Sequence, residues 1–187
     1  NDFLSRDKYV DAYHVPCEQT KNNIKKYTTK PIHVLGYWVD QDIWYAEDRG
    51  QAKKDLGLSE DNFYVASFQR DTEGNSLEPK LEKGPDVFCD YIEIINKDLP
   101  VHVLLGGWRR QYIINRLDKV NIPYTYIELP PQHTLRKMYC ASDLYLVSSR
   151  YEGGPQSLLE SSRTKTPIIS TSCGMAEEVL SSKCIID

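Results

Sequence analysis

From Asn62 onward, short apolar runs alternate with segments of helical period, and this alternation limits the fold more than any other feature of the chain. "NFYVASF" (62–68) is β-branched and aromatic and stops at polar residues. "PDVFCDYIEIINKD" (85–98) has apolar residues at 87, 88, 91, 92, 94 and 95, the spacing of a helix packed on a sheet. "PVHVLLGG" (100–107) reads as a strand ending in two glycines, "RRQYIINRLDKV" (109–120) as a helix and "IPYTYIEL" (122–129) as a strand. Helix, strand, helix and strand follow at 133–142, 143–149, 155–165 and 166–171, then the short "AEEVLSS" (176–182) and "KCIID". Repeated strand–helix units build right-handed βαβ crossovers, so the expected fold is α/β with a doubly wound, mainly parallel sheet. Ligands of such sheets bind outside the carboxyl ends of the strands.

Residues 1–61 read differently. A helix with a polar face is expected over 15–28, a short strand ending in a turn over 30–40 and a charged helix over 46–58 that stops at Gly57. This stretch is expected to be a lead-in or hinge, with Trp38 and Trp44 as packing residues. The opening "NDFLSRDKYVDAYHV" looks like the middle of something larger, and the chain is expected to be a fragment.

Composition excludes several classes. The 187 residues carry a formal net charge of −4, which argues against a general nucleic-acid or anionic-membrane surface. The five cysteines are odd in number and contain no C-x-x-C pair, so reduced thiols in a cytoplasmic setting are expected. The four histidines lie at no metal-ligand spacing, so no structural zinc site is expected. No apolar run reaches membrane-spanning length.

The residues with chemistry fall at the ends of the strand patterns. "RYEGGPQSLLES" sets Gly153-Gly154-Pro155 between a strand and a helix, with proline at the expected first helical position. Such a helix leaves the N–H groups of Gln156, Ser157 and Leu158 free to meet an anion. Gly153 and Gly154, lacking Cβ, would admit a ligand to the backbone. Glu152 and Glu160 suit hydroxyl groups better than phosphates, since a carboxylate repels a phosphate. In "SFQRDTEGNSLEPKLEKGPD" (67–86), Arg70 leaves a strand at its carboxyl end and Lys83 precedes the next helix; the two suit diphosphate oxygens. The plain structural reading, a capping turn and a solvated polar loop, stands beside this one. His133, at a ligand-edge loop, is the one histidine of interest.

These blocks resemble, in order and over nearly the whole chain, the donor-binding half of GT-B-fold retaining glycosyltransferases of the family 4 type. Glu152 and Glu160 match that family's E-x7-E spacing, "TPIIS" follows as in the family, and "SFQR…EKGPDVF" looks like its arginine-then-Lys-Gly segment. "GYWVDQDIW" resembles its interdomain turn. The resemblance implies that residues 1–61 are the tail of an N-terminal domain with the interdomain hinge. Residues 62–187 would then be a Rossmann-like donor domain, cut short at its C-terminus. It implies a nucleotide-diphosphate sugar, UDP- or GDP-linked, as partner, whose sugar is transferred with retention to an unknown acceptor, with no metal and no cofactor. Arg70 and Lys83 would hold the diphosphate, Glu160 the ribose, and Glu152, Gly153 and Gly154 the sugar, with Leu129 near the base. It also implies a cytoplasmic location or the cytoplasmic face of a membrane, with peripheral attachment through an N-terminal domain. The fragment alone is expected to transfer sugar poorly or not at all. Four departures stand out: Gln69 where the family usually has glycine, a long 70–83 loop in which Lys80 competes with Lys83, Pro155 in place of an N–H donor, and a single glycine after Cys173. A nucleotide-sugar epimerase of the same plan and a non-catalytic nucleotide-binding module remain as alternatives.

Overall fold

A computed structural model of the chain describes residues 2–74 and 76–186. Its strands are β1 (Tyr13–Val15), β2 (Ile32–Val34), β3 (Phe63–Ser67), β4 (Val101–Gly107), β5 (Tyr124–Glu128), β6 (Leu144–Val147), β7 (Ile168–Thr171) and β8 (Ile185–Ile186). Its α-helices are α1 (Asp2–Asp7), α2 (Glu18–Ile24), α3 (Arg49–Asp55), α4 (Pro85–Asp98), α5 (Gln111–Val120), α6 (Gln132–Ala141), α7 (Ser157–Arg163) and α8 (Ala176–Val179). β3 to β8 form a six-stranded sheet in the order β5-β4-β3-β6-β7-β8, every pairing parallel. β1 and β2 pair in parallel as a separate two-stranded sheet.

Successive strand residues point to opposite faces, so the apolar strands supply two cores at once. Tyr64, Ala66, Leu104, Tyr145 and Val147 face one side, where they meet Met138, Tyr139, Leu158 and Trp44. Val65, Val103, Leu105 and Leu146 face the other, against Phe88, Cys89 and Ile92 of α4 and Ile113 and Leu117 of α5. The result is helix, sheet, helix in three layers, the doubly wound arrangement expected from the alternation.

The chain winds outward from β3 through β4 to β5, then returns to lay β6 on the other side of β3. The β3/β6 seam is therefore the switch point of the sheet, where a crevice opens at the carboxyl ends.

The structure changes some local expectations. The 15–28 stretch is not one helix. Val15 pairs in β1, and α2 starts only after Cys17, whose sulfur accepts the N–H of Thr20 as an N-cap. α7 begins at Ser157 rather than Pro155. Trp38 is exposed, whereas Trp44 is buried edge-on against Tyr139. Residues before Asn62 are also tied to the large sheet. α3 packs on α6, and Lys53 of α3 donates to Asp143 and to the Asn62 carbonyl, each at 3.0 Å.

Candidate functional site

At the β3/β6 switch point the loops border an open cavity of about 610 Å³. Lys83, Glu152 and Gly153 line it together with Lys80, Glu82 and Arg150, and α2 supplies Gln19, Thr20 and Asn23 on the facing wall.

The loop after β3 is built rather than loose. Asp71 and Thr72 are buried, Thr72 bridges to Pro79, and a single 3-10 turn runs from Leu81 to Lys83. Gly84 ends that turn with φ +59° and opens α4, where Pro85 takes the first position. A Cβ on Gly84 would lie 1.9 Å from the Ser148 carbonyl oxygen. Only glycine lets the Lys83 turn lie against the end of β6.

That close approach joins the two sequence clusters. Lys83 Nζ reaches Glu152 Oε1 at 2.6 Å. Glu152 Oε1 also receives the Ser149 hydroxyl at 2.9 Å, and Gln69 Nε2 donates to the Lys83 carbonyl at 2.7 Å. Lys80 turns elsewhere, to Glu73 at 2.6 Å and Glu82 at 2.5 Å, and both bonds raise its pKa. Arg150 grips Asp86 through two bonds of 2.8 and 2.7 Å. Arg70 stands one residue past Gln69 at the end of β3 and does not line the cavity. Among the described residues its side chain makes no hydrogen bond or ion pair.

The glycine turn departs from the expected form. Gly153 is open, with nothing near where its Cβ would be, but its carbonyl accepts from Thr20 Oγ1 at 2.8 Å and Cys17 Sγ at 3.1 Å. Gly154 is covered by Pro16 and Tyr37, whose atoms lie 2.9 to 3.2 Å from the place of a Cβ. The N-terminal segment, not a ligand, occupies the space that Gly154 leaves. The free N–H expected at Leu158 is also spent, donated to the Pro155 carbonyl at 3.2 Å, because the first turn tightens around proline. The Leu158 side chain is fully buried in the core. Gln156 is exposed and donates its side-chain amide to the Trp38 carbonyl at 3.2 Å, and Ser157 opens α7 beside it.

Glu160 does not line the cavity. Its Oε2 accepts the Tyr139 hydroxyl at 2.8 Å, and burial pushes its carboxyl pKa up. Leu129 directly follows β5, exposed, at φ +44°. His133 is exposed in a separate cavity with Arg136 and Tyr45.

Sequence reading missed two features. One is α2 as a wall, because the polar face expected over 15–28 does not say which part of the chain it would stand against. The other is Arg110, fully buried beneath the β3–β4 end, where it donates to the carbonyls of Ser67 at 2.6 Å and Gly106 at 2.7 Å. Asp71 lies 3.7 Å from its Nε and accepts the Ile113 N–H at 3.0 Å. Burial pushes the Asp71 carboxyl up to about 6 against the pull of that guanidinium. Nothing in "WRRQ" separates a buried arginine from a surface one.

The family model described as glycosyl transferases group 1 matches residues 74–186. N-acetyl-α-D-glucosaminyl L-malate synthase of Bacillus anthracis is 24% identical over 156 residues, 81% of this chain and 38% of that protein. Sucrose-phosphate synthase of Thermosynechococcus elongatus superposes with a TM-score of 0.78 at 15% identity, over 98% of this chain and 46% of that one. HepE of Anabaena, solved in complex with UDP and glucose, gives 0.77 at 15% identity, over 94% and 48%. The chain thus spans less than half the length of each, and the structural likeness is one of fold.

Proposed function

Because this chain belongs to the glycosyl transferases group 1 family, we propose that it is the nucleotide-sugar-binding part of an enzyme that transfers a sugar with retention of configuration. The observation that carries the reading is the Lys83–Glu152 pair, 2.6 Å apart in a cavity at the switch point of a parallel sheet.

In this reading a diphosphate enters beside Lys83 and draws the ammonium away from Glu152. Arg70, without a side-chain partner among the described residues, supplies a second positive charge. As the bond from the anomeric carbon to the diphosphate breaks, negative charge grows on the departing oxygen, and both cations stabilise it. This is electrostatic preorganisation, with no general acid required for the leaving group. Glu152, released from Lys83, accepts hydroxyl hydrogens of the sugar, while Gly153 leaves that wall open. Glu160 accepts from the ribose through the oxygen that Tyr139 does not use. Leu129 lies toward the base. HepE was solved with UDP and glucose, so a UDP-linked hexose is the first donor to test.

Thermal unfolding in the presence of UDP-, GDP- and ADP-sugars tests the reading. At about 100 times its dissociation constant a ligand adds roughly 2.7 kcal/mol to stability. For a domain of this size that is a rise of about 5–10 °C. The rise is expected with one nucleotide class and is expected to vanish in Lys83→Ala and Glu160→Ala. No rise with any nucleotide, for this chain and for the full-length enzyme, would remove the proposal.

A further inference from the structure

Gln69 occupies a position that no role in sugar transfer has yet required. Its amide bridges the two loops that meet at the cavity: Nε2 donates to the Lys83 carbonyl at 2.7 Å, and Oε1 receives the Ser149 hydroxyl at 3.1 Å. The first contact fixes the sense of the amide, because a carbonyl accepts only from the NH2 side. Oε1 must then face Ser149, and Ser149 must be the donor. The same hydroxyl lies 2.9 Å from Glu152 Oε1, which in turn holds Lys83 Nζ. The ring closes: Gln69, Ser149, Glu152, Lys83 and back to Gln69 through the Lys83 carbonyl. Ser149 is fully buried, so water does not substitute in the ring at that point.

One proton serves two acceptors there. A hydroxyl carries a single hydrogen, and neither the Gln69 amide oxygen nor an ionised Glu152 can return one. While Lys83 neutralises Glu152, the hydrogen is shared or turned toward Gln69. When an anion draws Lys83 away, the hydrogen can swing wholly to Glu152 and compensate the carboxylate that lost its cation.

From this geometry we propose that Gln69 is a positioning residue for the Lys83–Glu152 pair. It pins the main chain under Lys83 and shares the Ser149 hydrogen with Glu152 in the resting state, so that Lys83 exchanges from carboxylate to anion without either group being left unpaired. The consequence for nucleotide binding rests on the donor-site reading above; the positioning of Lys83 does not.

The test separates the two. In 15N-labelled protein the ammonium resonance of Lys83, assigned by its loss in Lys83→Met, is expected to be protected from solvent exchange. Gln69→Met, of similar length but without an amide, is expected to speed that exchange roughly three- to tenfold, the range set by one net hydrogen bond. Ser149→Ala should do the same. The buried Lys53 ammonium, bonded to Asp143 and the Asn62 carbonyl, reports that the fold is intact in both variants. UDP affinity measured by calorimetry should fall by a similar factor in Gln69→Met, and Gln69→Glu, which keeps the length but loses the donor, should not restore it. An unprotected Lys83 in the wild type, or unchanged Lys83 exchange in both variants, would overturn the proposal. Faster exchange in a protein that binds none of UDP, GDP and ADP would uphold the positioning and reject the nucleotide reading.

Discussion

At the scale of single residues, Glu160 is the clearest case of a group placed at a cost. Burial raises its carboxyl pKa, while the hydrogen bond from Tyr139 pulls the other way. A carboxyl raised in the folded state carries no burial penalty below its unfolded pKa of about 4.3. The penalty appears as pH rises through the folded-state value. Glu160→Gln, neutral throughout and still able to accept from Tyr139, should therefore stabilise the free protein at pH 7–8. The gain expected is of the order of 0.5–2 kcal/mol in urea unfolding, absent at pH 4. Under the donor-site reading the same variant binds nucleotide more weakly, the usual conflict between stability and a working site. The positions of Glu152 and Glu160 were readable from their spacing, but their partners were not. Which cation meets Glu152 depends on a contact between loops 69 residues apart in sequence. That contact is licensed by Gly84, whose φ no pattern of apolar residues reveals. The same gap explains Gly154, read as a ligand's approach and found under Pro16 and Tyr37.

Among elements, the best-read one is α4, expected over 85–98 and found at Pro85–Asp98. Its signals agree: proline at the first position, helical spacing of apolar residues, and strand patterns on both sides. α2 shows the opposite case, since its first cap is a cysteine and its start depends on Pro16 leaving the strand. The turn between Lys83 and α4 is where element packing is most exacting. Gly84→Ala puts a Cβ into the Ser148 carbonyl and a left-handed φ on an L-residue. Strain at φ contributes about 1–3 kcal/mol and the forced displacement about as much again. Denaturant unfolding should therefore show a loss of roughly 2–5 kcal/mol. Because the displaced groups adjoin Lys83 and Ser149, Lys83–Glu152 contact should be lost as well.

For the whole molecule, the strand–helix alternation foretold a parallel sheet with two covered faces, and both faces are filled as the strand pattern demands. Strand order was not foretold in detail, since it is set by crossover connections rather than by any one segment. What ties the early residues to the sheet was also invisible, because Lys53 and Asp143 are ordinary charges 90 residues apart. Lys53 is only 6% exposed, and Asp143 also accepts the Tyr64 N–H at 2.9 Å and Arg49 at 2.9 Å. Lys53→Met leaves that carboxylate with less compensation, and a buried pair broken on one side costs about 3–5 kcal/mol. Arg49 remains as a partner, so urea unfolding should show the lower end of that range. The seam between β3 and β6 has a further consequence for the chain's birth. β3, β4 and β5 are consecutive, so they leave the ribosome as a finished half-sheet whose β3 edge faces nothing. At about 5–20 residues per second, synthesis from Glu128 to Leu144 takes roughly one to three seconds. Through that interval the nascent protein shows an unpaired strand edge at the future ligand crevice, a place where a chaperone, or a second nascent chain, would find it open.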